Sequence, residues 1–284
     1  MTPETMNEET AMEAYKDTEF VALDTTIDAD EMAELLEVNM GGKMDWQDME
    51  RVVCPSAGAL SFEVPCSSGV EPRDDVHGVV LHAQDIRLRF TKEFGEGETN
   101  EPDCVSLDGV VGTGDPGMVC KGCPHEKWGT GKNGSGRACN ERKYVVMLLP
   151  DSMSPVALSV PPSSLKHINK YLKRLYDERI LAYKTTTIVK PVAAKNKGGV
   201  KYTEITFVKG PDLNEREQGH AKLLSKQIRD SIVGAAEAAA AGNPSAESQR
   251  DVDEHHSRQA DEVAKGHDMG TGDLAEGEDP FGDE

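Results

Sequence analysis

The sequence predicts a mostly β fold with flanking helices, in which five short strands form a small barrel between disordered acidic ends. Three observations lead to this prediction. Short apolar segments with strand-like alternation recur in the middle of the chain. A segment rich in glycine and cysteine interrupts them. Residues 1–37 hold 12 acidic residues and one basic residue, and residues 243–284 hold 13 acidic and 3 basic residues, a composition typical of disordered segments.

The first strands precede the cysteine-rich segment. Residues 59–64 and 86–90 alternate between apolar and polar side chains, and residues 76–82 form an apolar run before the second of them. The alternation places Arg87 and Arg89 together on one face of their strand, opposite its apolar side chains.

The clearest helix follows two apolar strands. Residues 143–149 and 156–160 are strands that end at prolines. Ser163 or Ser164 then provides an N-cap. The apolar positions of the helix recur every three to four residues and are Leu165, Ile168, Leu172, Leu175 and Tyr176.

A hairpin and a second helix complete the core. Residues 183–191 and 200–208 are strands joined by a basic loop that contains glycine. Asn214 caps a helix over residues 212–240. Several strands, a helix, a hairpin and a final helix are the order expected of a five-stranded OB-like barrel. A β-sandwich is the alternative.

The predicted regions follow from these elements. Residues 1–43 form an acidic, largely disordered arm, and residues 44–211 form an OB-like core for binding nucleic acid. Residues 95–142 are a four-cysteine insertion within that core. Residues 212–242 form the C-terminal helix, and residues 243–284 form a disordered acidic tail.

The charge distribution points to a polyanionic partner despite a formal net charge of −20. Residues 121–210 carry 17 basic and 6 acidic residues, so a basic middle lies between acidic ends. The N-terminus lacks the basic and apolar regions of a signal peptide, and no stretch is apolar enough for a membrane helix. We therefore expect a cytoplasmic protein with no membrane partner; a homo-oligomer is left open.

Four cysteines in the insertion predict a metal site. Their spacing is C-x15-C-x2-C-x15-C, centred on a Cys-Lys-Gly-Cys knuckle, and they are Cys104, Cys120, Cys123 and Cys139. A glycine-rich segment builds no apolar core, so a tetrahedral zinc ion held by four thiolates would supply its order. An iron–sulfur cluster, ligation by His125 and unligated thiols remain alternatives. Cys54 and Cys66 are small semi-buried thiols or part of a second site with His77 or His82.

Cations interleaved with aromatic residues predict binding of single-stranded DNA. Lysine and arginine follow the phosphate backbone, and flat rings stack on unpaired bases without reading sequence. The candidate contacts are Arg87, Arg89, Lys127, Trp128, Lys132, Arg137, Arg142, Tyr183, Lys184, Lys190, Lys195, Lys197, Lys201 and Tyr202.

The sequence lacks the usual catalytic motifs, including a phosphate-binding loop, a nucleophile elbow and a zinc-protease helix. We therefore expect no enzymatic activity. A nuclease would need a carboxylate cluster, for which the candidates are Asp85, Asp103, Asp108 and Asp115. A zinc-stabilised scaffold or regulator that binds proteins and has no affinity for nucleic acid is the main alternative function.

The cysteine motif also resembles a known family. Cys120-x-x-Cys-Pro-His-Glu-Lys-Trp-Gly129, Gly134-x-Gly-x-x-Cys139 and Arg142 resemble bacteriophage and prophage single-stranded-DNA-binding proteins. The resemblance covers roughly residues 76–210. It implies an OB-type core, a metal held by the four cysteines, Trp128 beside the metal, and a role in DNA replication, recombination or repair.

The tip of the acidic tail predicts a protein-docking segment. Asp279, Pro280 and Phe281 lie in a run of carboxylates and would recruit replication or recombination proteins. The tip is similar to the recruiting tail of bacterial single-strand-binding proteins, but Phe281 is followed by three more residues.

Overall fold

The fold is built around one long strand, Val76–Arg89. The computed structural model of the chain describes residues 8–23, 31, 34, 37–39, 41, 49–91, 102–196 and 198–241. The strands are β1 (Arg51–Val52), β2 (Phe62–Cys66), β3 (Gly69–Arg73), β4 (Val76–Arg89), β5 (Cys104–Ser106), β6 (Thr113–Gly114), β7 (Cys139–Leu148), β8 (Val156–Val160), β9 (Thr185–Lys195) and β10 (Lys201–Asp212). The helices are α1 (Glu8–Ala14), α2 (Leu165–Asp177) and α3 (Glu215–Ala241).

Strand β4 has different neighbours at its two ends. Along one edge it pairs with β7, with an irregularity in register between Val80 and His82. On the other edge, its first four residues pair with β9 and its last three pair with β5. The β9–β10 hairpin therefore extends from the start of β4, and the cysteine insertion begins beside its end.

Both faces of the main sheet are covered. Because successive side chains of a strand point to opposite faces, Val146 joins one apolar cluster and Val145 joins the other. The first cluster includes Ile228 and Ile232 of α3. The second includes Ile168 and other residues of α2. Each face of the main sheet is thus packed against one of these two helices.

The sheet differs from the predicted five-stranded barrel. It has eight strands, and among the described residues no ladder joins β10 to β8 to close it. A closed barrel would require the outer edges of β8 and β10 to pair, but both edges make other contacts. Strand β1 pairs with the outer edge of β8. The backbone N–H of Ile205 in β10 donates to Ser164 Oγ at 2.8 Å instead of to a strand.

The apolar runs at residues 76–82 and 86–90 were predicted as separate strands, but they belong to the single strand β4. The other main elements agree closely with the sequence prediction. Residues 156–160 form β8, the final hairpin forms from β9 and β10, and α2 starts after Ser164. Helix α2 buries Tyr171, whereas Tyr176, predicted on the apolar face, is exposed.

The cap of α3 matches its sequence signature. Asn214 Oδ1 accepts hydrogen bonds from the backbone N–H groups of Arg216 and Glu217, both at 3.0 Å. Glu217 Oε2 in turn accepts from the Asn214 N–H at 2.8 Å. These reciprocal bonds form a capping box, which satisfies N–H groups that the helix itself leaves unpaired.

Part of the acidic arm is folded. The sequence predicted a largely disordered arm, but α1 lies within it and Val21–Leu23 form a short 3-10 turn. Phe20, Ala22 and Leu23 are buried in the cluster beneath α3. The arm is ordered at this point because a short apolar segment is buried in the core, although most of the arm is acidic.

Candidate functional site

The sheet register brings Cys104 and Cys139 to the same level. Both residues pair with Arg89, from opposite edges of β4. Directly opposed residues of neighbouring strands point to the same face, so the two cysteine side chains flank that of Arg89. The end of β4 is thus the floor of the cysteine insertion.

The knuckle supplies the other two cysteines. The Cys123 N–H donates to the Cys120 carbonyl at 3.1 Å, and Gly122 between them has a φ of 83°, which favours glycine. All four cysteines line one cavity together with His125 and the two arginines of β4. Its volume of ≈ 10 Å³ is about that of one water-sized sphere.

The surroundings of the cysteines keep three of the thiols protonated when no metal is bound. Burial raises the pKa of Cys104 and Cys120, and burial together with the neighbouring thiols raises that of Cys139 to about 11. They are therefore protonated at neutral pH unless a metal displaces the protons. Among the described residues, no group of three or more His, Cys, Asp or Glu side chains stands at metal-binding geometry, so zinc stays a prediction.

Backbone contacts shape the loop that follows the knuckle. Thr130 Oγ1 donates to the Lys127 carbonyl at 2.7 Å and accepts from the Ala138 N–H at 3.1 Å. The Gly129 N–H donates to the Gly136 carbonyl at 2.7 Å. A side chain at Gly131 would overlap the backbone of Ser135 and Gly136, four and five residues further along the loop. Glycine is therefore needed here because the chain approaches itself closely.

Arg87 and Arg89 face this insertion. Arg87 Nη1 lies 2.7 Å from Glu126 Oε2, and Arg89 Nη1 donates to the Asp115 carbonyl at 2.7 Å. Their side chains are 25% and 13% exposed. The structure thus places these two predicted DNA contacts beneath the insertion, where they hold it to the sheet.

The outer surface of the insertion carries exposed cations around a tryptophan. Trp128 is 79% exposed, although tryptophan is usually well buried. Lys127, Lys132 and Arg137 are exposed on the same loop. Four of the predicted DNA contacts thus lie together on the solvent side of the cysteine cluster; we call them the Trp128 surface.

Arg142 is partly buried, and its Nε is shielded from solvent. Burial lowers its pKa, and the Arg142 Nε finds no hydrogen-bond partner among the described residues. The titratable group beside it is Cys54, whose Sγ lies 3.5 Å from the Ser159 carbonyl oxygen. Burial raises the pKa of Cys54 to about 12, so Cys54 is a neutral thiol at neutral pH.

The final hairpin carries a second exposed basic group. Lys195 and Lys201 are exposed and pair at its tip, whereas Lys190 Nζ lies 3.5 Å from Asp75 Oδ2. Lys184 is also exposed, but it lies in the 3-10 turn Ala182–Lys184 before β9, at the other end of that strand. Lys197 lies outside the described residues. The tip of the hairpin points away from the end of β4 that carries the insertion, so the structure does not bring the two basic groups together.

The predicted aromatic contacts of the hairpin are partly enclosed. Tyr183 packs against the cluster beneath α3. The Tyr202 hydroxyl donates to Glu204 Oε1 at 3.0 Å, and Lys166 and His167 contact the same carboxylate at 2.7 and 2.8 Å. Burial favours the neutral acid, but these hydrogen bonds outweigh it and lower the pKa of Glu204 to about 2.

Two features escaped the sequence prediction. Tyr176 on α2 is 81% exposed. The only sequence signal for this is that Tyr176 directly follows Leu175, which continues the buried positions Ile168 and Tyr171. His77 is buried and stacks on Tyr15 with ring centroids 4.2 Å apart. Nothing in the sequence near His77 indicates a partner some sixty residues earlier.

The side chains of the carboxylates proposed for a nuclease contact different partners, although the Asp115 N–H donates to the Asp103 carbonyl at 2.7 Å. Asp85 pairs with Lys143 at 2.7 Å, and Asp103 accepts hydrogen bonds from Thr91. Asp108 Oδ1 accepts the Val110 and Val111 N–H groups. Asp115 Oδ2 lies 3.4 Å from Arg89 Nη1, so each of the four side chains makes its own contact.

Comparison with protein-family models, curated proteins and solved structures finds no match to this chain. Within the described ranges, no helix has the length and apolar character required to span a bilayer. The segment with Asp279, Pro280 and Phe281 lies outside the described residues. Functional inference therefore rests on the site itself.

Proposed function

We propose that the chain binds single-stranded DNA independently of base sequence and serves phage-type replication, recombination or repair. The observation that carries the proposal is the Trp128 surface, where a 79% exposed indole lies on one loop with three exposed cations. Stacking of a base on an aromatic side chain contributes about 1–3 kcal/mol. The cations attract the backbone through release of its counterions.

The same features favour a single strand over a duplex. A base must leave its stack to lie against an exposed indole, and an unpaired strand offers its bases without that cost. The exposed lysines of the final hairpin would bind a second part of the same strand.

We further propose that the four cysteines hold one structural zinc ion. A zinc ion with four thiolates carries a net charge of −2, and Arg87 and Arg89 on the floor of the cavity would offset it. Such a site has no open coordination position for a reactive water. The ion would fix the loop that carries Trp128, and an iron–sulfur cluster is the alternative that metal analysis would reveal.

The OB-like description of the core is also a proposal. It is supported by the order β4, β7, β8, α2, β9 and β10, with the helix before the last hairpin. Strand β4 pairs with both β7 and β9, as a first barrel strand would. We propose in addition that the acidic tail recruits replication or recombination proteins through Asp279, Pro280 and Phe281.

The test uses the fluorescence of Trp128. The chain has two tryptophans, so a Trp46→Phe variant leaves Trp128 as the single indole. Titration of this variant with oligo-dT at low salt should quench its emission, because stacking brings a base against the ring. Raising the salt concentration should weaken binding steeply.

A Trp128→Phe variant that keeps Trp46 is the matched control, and its emission should respond much less. Absence of binding at low salt, or equal affinity for duplex DNA, would contradict the proposal. Protein capture that survives neutralisation of Lys195 and Lys201, in a chain without DNA affinity, would favour the scaffold alternative.

A further inference from the structure

The N-terminal helix lies on a basic position of the core. Residues 8–17, here called the strap, comprise α1 and the turn after it. The Glu8 carboxylate contacts the Arg174 guanidinium of α2 through two oxygens, one of them 2.7 Å from Nη2. A bidentate contact of this kind is also how arginine binds a phosphate group.

The other end of the strap lies on His77. The ring of Tyr15 stacks on the imidazole at 4.2 Å with an interplanar angle of 29°, and Phe20 contacts it from a further direction at 5.7 Å. His77 is more than nine-tenths buried, and its Nε2 finds no hydrogen-bond partner within the described ranges. A buried ring atom without a partner is uncommon in a purely structural contact.

The charges of the strap and its seat are complementary. The strap contains one basic residue, Lys16, and four acidic residues, which are Glu8, Glu9, Glu13 and Asp17. The seat offers Arg174 of α2, whose Nε also lies 2.7 Å from Glu178 Oε1, and Lys190 of β9, whose Nζ lies 3.5 Å from Asp75 Oδ2. The Tyr15 hydroxyl donates to the same Asp75 carboxylate at 2.7 Å. The strap thus presents a carboxylate and a stacked ring about two helical turns, or ~10 Å, apart.

We propose that the Arg174–His77 seat is a second contact for single-stranded DNA, and that the strap occupies it in the absence of DNA. The Glu8 carboxylate takes the place of a phosphate group, and the Tyr15 ring takes the place of a base. This inference rests on the proposed function, since it assigns a further site for the same ligand.

The strap can leave its seat without unfolding the core. Residues 20–23 supply the part of the arm that belongs to a core cluster, whereas the buried residue of the strap, Ala11, belongs to neither main cluster. The Glu8 and Arg174 side chains are 36% and 51% exposed, and exposed ion pairs contribute little to stability. Displacement would open His77 Nε2 to a hydrogen bond with a base or a phosphate.

Glu8→Gln tests the seat, with Glu9→Gln as the matched control on the same helix. Both variants remove one negative charge, but only Glu8 contacts Arg174. We expect Glu8→Gln to bind oligo-dT about two- to fivefold more tightly than Glu9→Gln, as loss of one exposed ion pair implies. Equal affinities for the two variants would overturn the inference.

Trypsin cleavage after Lys16 gives an independent readout. Saturating oligo-dT should accelerate cleavage if DNA displaces the strap, whereas unchanged or slower cleavage would overturn the inference. If the wild type binds oligo-dT and both tests are negative, only the second contact fails. If neither the wild type nor Glu8→Gln binds, the proposed function fails as well.

Discussion

Individual side chains show where sequence patterns stop being informative. Strand alternation correctly places Arg87 and Arg89 on one face of β4, because both line the cysteine cavity. It does not reveal that an insertion covers that face, since the covering residues come from Asp115 and Glu126 further along the chain. Trp128 was predicted as a DNA contact from the cations around it, but the degree of its exposure depends on how the glycine-rich loop closes on itself.

Glu204 gives a prediction on pH at the same scale. Its pKa is lowered from 4.5 to about 2 in the folded chain, so its contacts stabilise the fold above pH 4.5 and lose this contribution as the pH falls towards 2. We expect the free energy of unfolding to decline over this interval, and to decline less in Glu204→Gln. Urea denaturation at a series of pH values measures both.

Glu63→Gln is a suitable comparison, since Glu63 is an exposed residue of β2. Its profile should follow that of the wild type through the same interval. A Glu204→Gln profile that also follows the wild type would show that the contacts of Lys166, His167 and Tyr202 do not depend on the charge of the carboxylate.

Elements with strong local signals were predictable. Helix α3 combines a capping box at Asn214 with buried Leu224, Ile228 and Ile232 at helical spacing, so local chemistry and packing agree. The final hairpin has alternation and a glycine-containing turn. The first helix was missed because its acidic composition resembles that of a disordered segment, and one buried residue, Ala11, gives too weak a period.

The cysteine insertion is the element whose order should depend on metal. We expect the purified chain to contain about one equivalent of zinc, and Cys120→Ser to lose the metal, the amide protection of residues 102–138 and much of the DNA affinity together. Strands β4 and β7 to β10 of the main sheet should keep their protection, because the apolar clusters that they build do not include the four cysteines of the insertion. Metal analysis, hydrogen exchange and oligo-dT titration give the three measurements.

Cys66→Ser is the matched control, since Cys66 contacts Ser68 on the small β2–β3 hairpin. It should retain metal, protection and affinity. A Cys120→Ser chain that lost zinc but bound oligo-dT as tightly as the wild type would separate the metal from the Trp128 surface.

At the scale of the whole molecule, the long strand β4 sets the distance between the two basic groups. It spans 14 residues, or roughly 45 Å at about 3.3 Å per residue. The insertion adjoins its last residues and the β9–β10 hairpin its first. The sequence predicted both groups but not their separation, because the pairing register is set by contacts between residues far apart in the chain.

This separation predicts additive effects on DNA binding. Trp128→Ala should weaken binding by about 1–3 kcal/mol at all salt concentrations, because it removes stacking. Lys195→Gln combined with Lys201→Gln should lower the salt slope by about 1.4, since each lost phosphate contact on a single strand contributes about 0.7. The triple variant should show the sum of the two losses, as expected for distant sites.

Oligonucleotide length tests the same geometry. A long oligo-dT reaches both ends of β4 and should respond to both sets of substitutions. An oligo-dT of a few nucleotides can reach only one end of β4. Its affinity should therefore fall with Trp128→Ala or with the two lysine substitutions, according to the end at which it binds, but not with both. Two results would contradict this geometry: strong non-additivity in the triple variant, or equal sensitivity of short and long strands to both sets of substitutions. Either result would mean that the two basic groups contact one short segment of DNA and that the strand does not run between them.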